Sequence, residues 1–210
     1  MIDNPTIKPL SSELADDYFD FFDNRAFTDH EEWSCCYCTY FHFDREREKE
    51  VGEIVKAGAD LKSTLRSTAA ELIREGTLRG YLAYDGDDAI GFVNANDKTA
   101  YRRFDGNYAR STFISDNFEE KVKAVTCFII APEYRDKGVA TLILEQICED
   151  AKREGYTAVE GYPRIYPGHF DFPFNGPKRL FERVGFVKVN ERSGAEFKEE
   201  HGVIIMRKEL

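Results

Sequence analysis

A buried strand, a glycine turn, an amphipathic helix and a second strand follow one another between residues 122 and 162. Val122 to Ile130 is largely apolar and β-branched, as is typical of a strand covered on both faces. Apolar residues then recur at helical spacing from Val139 to Ala151, and Gly155 ends that segment. Because Ala158 to Tyr162 predicts a neighbouring strand, we expect this unit to form the middle of a mixed α/β domain.

The same patterns predict further elements on both sides of this unit. Helices are predicted over Leu14 to Phe22, with Ser11 or Ser12 as the cap, Asp44 to Glu50, Leu61 to Glu75 and Pro177 to Gly185, and strands over Leu78 to Tyr84, Ala89 to Asn94, Phe186 to Asn190 and Val203 to Arg207. Residues 96 to 120 lack periodicity, which is typical of a lid or binding loop. Its Arg102, Arg103 and Arg110 could meet an anion, although solvated loop charges are the favoured interpretation. No repeat or low-complexity tract interrupts the sequence, so residues 1–210 are predicted to form one domain.

The charge balance argues against several classes of partner. The 210 residues contain 29 Lys and Arg against 39 Asp and Glu, a formal net charge of −10, whereas a nucleic-acid surface needs clustered basic residues. The apolar stretches are shorter than the ~20 residues of a membrane-spanning helix, so neither nucleic acid nor membrane is expected as a partner. The first twelve residues lack the apolar region of a signal peptide, and an odd number of cysteines, five, suits reduced thiols. We therefore expect a cytoplasmic protein.

The turn between the buried strand and the helix has the composition of an anion site. It reads Arg135, Asp136, Lys137, Gly138, Val139, Ala140. Backbone N–H groups at a helix start lack intrahelical partners, and the positive end of the helix dipole adds to their attraction for a phosphate. Gly138 lets a phosphate approach the backbone closely, and Arg135 and Lys137 can reinforce the attraction. The turn matches neither G-x-G-x-x-G nor G-x-x-x-x-G-K, so neither a dinucleotide site nor a P-loop is predicted.

Two motifs on either side of the helix carry a family resemblance. The first is Arg135-x-x-Gly138-x-Ala140 directly after the strand ending in Ala131-Pro132, and the second is the segment Leu180 to Phe186 some forty residues later. They resemble the pyrophosphate loop and the closing helix of the GNAT superfamily of acyl-CoA-dependent N-acyltransferases. The order of elements over residues 78–210 agrees with that fold, and residues 1–77 agree loosely, since family members vary where the acceptor binds. The resemblance implies a twisted, mixed and mainly antiparallel sheet flanked by helices and splayed at its centre.

The resemblance also implies a set of cofactor contacts. The residues are Phe128, Ile129 and Ile130 beside the pantetheine arm of acetyl-CoA, Arg135, Asp136, Lys137, Gly138, Val139 and Ala140 at its pyrophosphate, and Phe181 on the closing helix. A backbone N–H at the strand end would polarise the thioester carbonyl, in the manner of an oxyanion site. The implied reaction is direct attack of a primary amine on acetyl-CoA, with no metal and no covalent intermediate.

The sequence departs from the family's pattern at the acid and at the base. The tyrosine that often acts as the acid falls on Phe181, and Lys121 to Cys127 contains no carboxylate where the glutamate base often lies. The remaining candidates are Tyr162 and Tyr166 as acids and His42, Glu160 and His169 as bases. A chain that kept the pyrophosphate loop without acid or base would be a CoA-binding sensor or structural module, which is the alternative function.

Three of the five cysteines lie in one aromatic stretch. Cys35, Cys36, Cys38 and His42 have C-C-x-C-x-x-x-H spacing, which would suit a zinc-stabilised interaction domain, although closed zinc sites normally take paired C-x-x-C spacings from two segments. Packing as core beneath the first helices is the favoured interpretation, and no metal is predicted. The family resemblance adds a third interpretation, in which Trp33, Cys36 and Cys38 line the acceptor pocket of a subgroup marked by this patch.

Together these observations predict an acetyl-CoA-dependent N-acetyltransferase with a single GNAT-like domain. Residues 1–77 are expected to form the acceptor side and residues 78–210 the acyl-CoA-binding core. The acceptor is expected to be a small-molecule or peptide amine, and an acidic surface would steer a cationic one. A homodimer is compatible with the sequence.

Overall fold

The fold is that of a computed structural model, which describes residues 5–102, 119–165, 174–192 and 202–210. Tyr166 and His169 lie outside the described residues, as do Arg103 and Arg110 of the predicted binding loop. Within the described parts of the chain, no helix has the length and apolarity that a membrane span requires.

The strands of the described residues form one mixed sheet of eight strands. They are β1 (Thr6–Pro9), β2 (Gly80–Asp85), β3 (Asp88–Asp97), β4 (Val122–Ile130), β5 (Ala158–Gly161), β6 (Arg164–Ile165), β7 (Val187–Arg192) and β8 (Gly202–Glu209). Their order is β1-β2-β3-β4-β5-β8-β6, with β7 also paired to β8. The pair β4 and β5 is parallel and the other pairs are antiparallel, which confirms the predicted mixed and mainly antiparallel sheet.

Helices cover both faces of this sheet, as predicted. They are α1 (Ala15–Asn24), α2 (Arg45–Lys56), α3 (Leu61–Arg74), α4 (Val139–Arg153) and α5 (Lys178–Arg183). The apolar stripe of α1 packs on one face, where Tyr18 and Phe22 meet Phe92 of β3. The stripe of α4 packs on the other face in a second cluster, together with residues of α5. The sheet is therefore buried on two sides, which explains why every residue of β4 is buried and most of them are apolar.

The first strand and the first cap differ from the sequence interpretation. Thr6–Pro9 pairs with β2 as an edge strand, although its mostly exposed side chains give it no alternating pattern to recognise. Ser11 makes no side-chain cap, because a short 3₁₀ turn over Ser12–Leu14 precedes α1. Since β1 belongs to the common sheet, residues 1–77 contribute to it, and the division at residue 77 stays a prediction.

The parallel pairing of β4 and β5 is short and leaves part of β4 open. It joins Val122 through Val125 to Ala158 through Gly161 and ends there, whereas β4 continues to Ile130. A Cβ on Gly161 would lie 2.0 Å from the ring of Phe181, so only glycine allows that ring to pack beneath the end of β5. The second half of β4 thus keeps β3 on one side and presents its other edge to groups outside the sheet.

Candidate functional site

The N-terminus of α4 lies directly after the glycine turn. Gly138 is the N-cap with a φ of 91°, and a Cβ added there would meet no atom within 4 Å. The amides of Thr141 and Leu142 donate to its carbonyl oxygen at 3.0 and 3.1 Å. By helix geometry the amides of Gly138, Val139 and Ala140 come before the first intrahelical bonds, so they are available to an anion at this end of the helix.

A groove of about 380 Å³ runs past this helix end, and we call it the α4 groove. Its walls are formed by Phe128, Ile130, Tyr134, Arg135, Asp136, Gly138, Val139, Ala140, Thr141, Gly176, Pro177, Arg179, Leu180 and Arg183. Seven of the ten residues predicted to bind the cofactor are among them. The exposed Arg179 and Arg183 lie four residues apart along the chain, so they share one face of α5 and add positive charge to the groove.

Ile129, Lys137 and Phe181 lie outside the wall of the α4 groove. Successive side chains of a strand point to opposite faces, so Ile129 faces the α1 side of the sheet while its two neighbours face α4. The Lys137 ammonium lies 5.4 Å from the centre of the Tyr134 ring. Phe181 is fully buried, with its ring centre 5.7 Å from that of Phe128, so its contact to the groove is indirect.

Arg135, predicted to reinforce the anion site, is held by other groups. Its Nε donates to the carbonyl oxygen of Ile130 at 3.0 Å, and its two terminal nitrogens donate to Asp29 at 2.5 and 3.2 Å. Burial opposes the ionisation of Asp29, but the hydrogen bond and charge of Arg135 prevail and lower the pKa of that carboxyl below its usual range. The arginine therefore ties the glycine turn to the loop that follows α1.

The open edge of β4 is defined by its backbone hydrogen bonds. The Ala131 amide donates to the Ile90 carbonyl of β3, whereas the Phe128 amide donates to the carbonyl oxygen of Phe174 at 2.6 Å. Because backbone groups alternate between the two edges of a strand, those of Phe128 and Ile130 face the side away from β3. The segment around Phe174 thus lies against the open edge, and the side-chain amide of Asn175 donates to the Thr126 carbonyl beside it.

A second cavity of about 710 Å³ lies on the other face of the sheet, and we call it the α2 cavity. Its walls are formed by Phe27, Trp33, Cys35, Cys36, Cys38, Thr39, Tyr40, Phe41, Phe43, Glu48, Val51, Gly52, Val55, Lys56, Leu61, Leu65, Cys127, Ile129 and Phe174. The structure thus brings Trp33, Cys36 and Cys38, the residues predicted to contact the acceptor, into one wall. Phe174 lies between the α2 cavity and the open edge of β4.

The thiols of this wall are free and interact with one another. A hydrogen bond from Cys38 lowers the pKa of the Cys36 thiol while burial opposes the shift, and burial raises the pKa of Cys38. The backbone of Cys38 has a φ of 52°, and its carbonyl oxygen accepts a hydrogen bond from Asn94 of β3 at 3.1 Å. In the described parts of the chain, no three His, Cys, Asp or Glu side chains are grouped so as to hold a metal ion.

Tyr162 and Glu160 belong to a buried ionic cluster outside both cavities. The Tyr162 hydroxyl donates to Glu160 at 2.9 Å, and the carboxylate of Glu160 also contacts Lys98 at 3.5 Å and Arg207 at 2.9 Å. Burial and then the charge of Glu160 raise the pKa of Tyr162 well above its usual value, which makes it a weak proton donor. Tyr162 is fully buried, so the geometry favours a structural role for it.

His42, the predicted base, is buried between β3 and the aromatic stretch. Its Nε2 lies 3.4 Å from the side-chain nitrogen of Asn94, and its ring centre lies 5.0 Å from that of Tyr101. Burial lowers the pKa of His42 from 6.5 to about 4, although the Ala100 carbonyl and Asn94 act in the opposite direction. The imidazole is neutral at pH 7, but it lies behind the wall of the α2 cavity.

This burial predicts a pH dependence of stability. In the folded protein His42 stays neutral to about pH 4, whereas in the unfolded chain it is protonated below about pH 6.5. The unfolded state therefore binds more protons between these values, and His42 lowers the free energy of unfolding by about 3 kcal/mol as the pH falls through that window. Urea unfolding between pH 7 and 4 checks this, because His42→Leu should remove that part of the slope. Equal slopes in both proteins would contradict it.

Comparison with known proteins identifies the family. The model of the acetyltransferase (GNAT) family matches residues 8–161, which is more than half of the chain. The chain belongs to this family. No curated protein matches it in sequence.

Solved structures of GNAT acetyltransferases share its fold over nearly the whole chain. An N-acetyltransferase from Staphylococcus aureus Mu50 is 10% identical with a TM-score of 0.53, over 99% of both chains. The polyamine N-acetyltransferase of Drosophila melanogaster, which forms N-acetylagmatine, is 10% identical with a TM-score of 0.54, over 99% of this chain and 100% of that one. A spermidine N-acetyltransferase chimera from Vibrio cholerae and hSSAT is 14% identical with a TM-score of 0.53, over 99% of this chain and 96% of that one. At these identities the likeness shows the GNAT fold alone.

Several residues of this candidate site were not predicted from the sequence. Arg179 and Arg183 of the α4 groove could have been recognised from their i, i+4 spacing behind Gly176-Pro177. Phe174 and Asp29 carry no local signal, because their partners are 46 and 106 residues away along the chain.

Proposed function

We propose that the protein transfers an acetyl group from acetyl-CoA to a primary amine by direct attack. The observation that supports this most is that consecutive residues of β4 line two cavities, Phe128 and Ile130 the α4 groove on one face of the sheet, Cys127 and Ile129 the α2 cavity on the other. A transferase of this type must hold two substrates in line, and a donor in the groove and an acceptor in the cavity would both lie against this one segment.

The residues present fit acetyl-CoA in the α4 groove. The amides of Gly138, Val139 and Ala140 would hold the pyrophosphate, and the missing side chain at Gly138 leaves room for its oxygens. Arg179 and Arg183 would add charge for the phosphates. The backbone of Phe128 and Ile130 would pair with the pantetheine arm.

The Phe128 amide is the proposed donor to the thioester oxygen. It now donates to Phe174, so this hydrogen bond would be exchanged when the donor substrate binds. Once that exchange has taken place, an N–H aimed at the oxygen that gains charge during attack lowers the barrier, because the donor needs no further reorganisation in the chemical step.

The proton transfers place modest demands on the protein. A thiol such as that of CoA has a pKa near 8.5, so the departing sulfur can leave as a thiolate and then take up the proton that the attacking amine loses. Tyr162, Tyr166 and His42 stay the predicted acid and base residues, and the burial of Tyr162 and His42 favours departure without a protein acid. Phe181, which has no hydroxyl, agrees with such a mechanism.

The acceptor, location and assembly remain proposals. Among the structural neighbours, the enzymes of Drosophila melanogaster and Vibrio cholerae are named for polyamine and spermidine, so a small-molecule amine is the first class to test, with a peptide amine as the second. We propose that the enzyme is cytoplasmic and uses acetyl-CoA without a metal. We also propose that it can form a homodimer, which light scattering would test.

Calorimetric titration with acetyl-CoA, followed by thiol release with a panel of amines, tests the proposed activity. Micromolar binding together with amine-dependent thiol release would support it. Binding without release for any amine would favour the alternative, a CoA-binding sensor, for which the buried Phe181 and the engaged hydroxyl of Tyr162 are the supporting observations. Absence of binding would contradict both.

Replacing Arg135 separates its structural contact from phosphate binding. We expect Arg135→Gln to weaken acetyl-CoA binding less than about threefold and to cost about 0.5–1 kcal/mol of stability, because its guanidinium binds Asp29. Arg183→Gln is the matched control in the wall of the groove, and it should weaken binding about fivefold. Calorimetry measures both. A larger loss of acetyl-CoA affinity in Arg135→Gln than in Arg183→Gln would mean that Arg135 leaves Asp29 to bind phosphate.

A further inference from the structure

The α2 cavity indicates the class of amine that the protein accepts. It adjoins the open edge of β4 through Phe174 and Ile129, on the face opposite the α4 groove. This inference rests on the proposed function, since an acceptor entering from this face would reach the segment where the thioester is expected. A cavity of about 710 Å³ lies within the usual range of small-ligand pockets, about 300–1,000 Å³.

The wall of the cavity is mostly aromatic and aliphatic. Phe27, Trp33, Phe41, Val51 and Leu65 are typical of it, and the thiols of the patch behave as small, weakly polar groups. An apolar cavity of about 150 Å³ holds a benzene ring, so the α2 cavity has room for more than one group of that size.

Charged groups in the wall are few among the described residues. They are Glu48 and Lys56, both exposed and of opposite sign. A polyamine carries several ammonium groups that would lose water in this cavity without enough carboxylates to pair with, which is costly. From lining, size and charge we propose that the acceptor is a primary amine carried on an apolar, aromatic or aliphatic body, and that polyamines are poor substrates.

An apolar cavity also bears on the missing base. Transfer from water to an apolar site lowers the pKa of an amine, because the ammonium form is disfavoured there. A bound apolar amine would thus be present as the neutral nucleophile at a lower pH than in water. A neutral amine can attack without a general base, so the reaction would not need a carboxylate between Val122 and Cys127 of β4.

The test compares 2-phenylethylamine with spermidine and uses a binding signal that does not depend on transfer. Trp33, the single tryptophan of the chain, lies in the cavity wall, so its fluorescence should change when the amine-free analogue 2-phenylethanol binds. We expect kcat/KM for 2-phenylethylamine to exceed that for spermidine at least about tenfold.

A leucine and an isoleucine of similar size and exposure provide a matched pair of variants. Leu61 lies in the cavity wall and is 41% exposed, whereas Ile54, 42% exposed, lies outside that wall. Leu61→Gln should raise both the KM for 2-phenylethylamine and the Kd for 2-phenylethanol about fivefold, by loss of apolar contact, and Ile54→Gln should change neither. Both sites tolerate a polar side chain, so both variants should fold.

The outcomes distinguish this inference from the proposed function. Acetylation of spermidine in preference to 2-phenylethylamine would overturn the inference and leave the transferase function standing. No acetylation of any amine, with a Leu61-dependent Trp33 signal for 2-phenylethanol, would overturn the transferase function and support an apolar ligand in the cavity. No Trp33 signal with either aromatic compound would overturn the inference.

Discussion

Replacing Gly138 by aspartate is expected to weaken acetyl-CoA binding about 100-fold, close to 3 kcal/mol. The new carboxylate would lie at the start of α4, where the amides of residues 138–140 are expected to hold the pyrophosphate. It would repel the phosphates and accept hydrogen bonds from the same amides, in the way of an N-cap side chain. Isothermal titration calorimetry of both proteins measures the loss directly.

Gly155, beyond the other end of the same helix, provides the matched control. Both glycines have a positive φ, 91° for Gly138 and 76° for Gly155, and a Cβ at either would meet no atom within 4 Å. Gly155→Asp therefore introduces the same charge with similar backbone strain, but away from the α4 groove. Its Kd for acetyl-CoA should stay within about twofold of the wild-type value. Equal losses in the two variants would mean that net charge or stability, and not the helix end, determines binding.

Removal of the Glu160 carboxylate is expected to be the most damaging change to stability. Lys98 is 1% exposed and loses a buried carboxylate 3.5 Å from its ammonium in Glu160→Ala, and Arg207 and the Tyr162 hydroxyl lose an acceptor. Removing one member of a buried ion pair typically costs roughly 3–5 kcal/mol. For a chain of this size that corresponds to a fall in Tm of about 10 °C. Thermal and urea unfolding measure the effect.

Glu154 offers a control for this prediction, because it also pairs with a buried lysine. Its carboxylate lies 2.7 Å from the Lys123 ammonium but is 50% exposed, so water can replace it and Glu154→Ala should cost about 1 kcal/mol or less. The variant Glu160→Gln tests the other role that the sequence suggests for Glu160, that of a general base. If Glu160 were a general base, the variant would be stable but have little activity. If Glu160 holds the ionic cluster together, the variant should instead unfold more easily.

The central unit of the fold could be predicted because its signals are local. The apolar run of β4, the positive-φ glycine at 138 and the helical spacing of α4 lie within thirty-two residues of one another along the chain, from Val122 to Arg153. The edge strand β1 could not be predicted. Its side chains are mostly exposed, so apolar and polar residues do not alternate along it, and its pairing is made by the backbone.

For the candidate site, the sequence predicted which segments lie together but not how their side chains pair. Trp33, Cys36 and Cys38 are neighbours in the chain, so one loop conformation brings them to one wall. The contacts of Arg135 with Asp29 and of Glu160 with Lys98 join residues 106 and 62 positions apart. Such contacts form only when the sheet is assembled. In the sequence alone, the side chains of Arg135 and Glu160 could equally face a ligand or solvent.

Alternation along β4 has an evolutionary consequence. Phe128 and Ile130 lie in the wall of the α4 groove, while Cys127 and Ile129 lie in the wall of the α2 cavity. Odd and even positions of four consecutive residues thus line different cavities. If the proposed donor and acceptor occupy them, a mutation at an odd position would change the wall on the acceptor side and leave the donor side as it is. A lineage carrying this strand would then be able to diversify its acceptors while its donor chemistry stays constant.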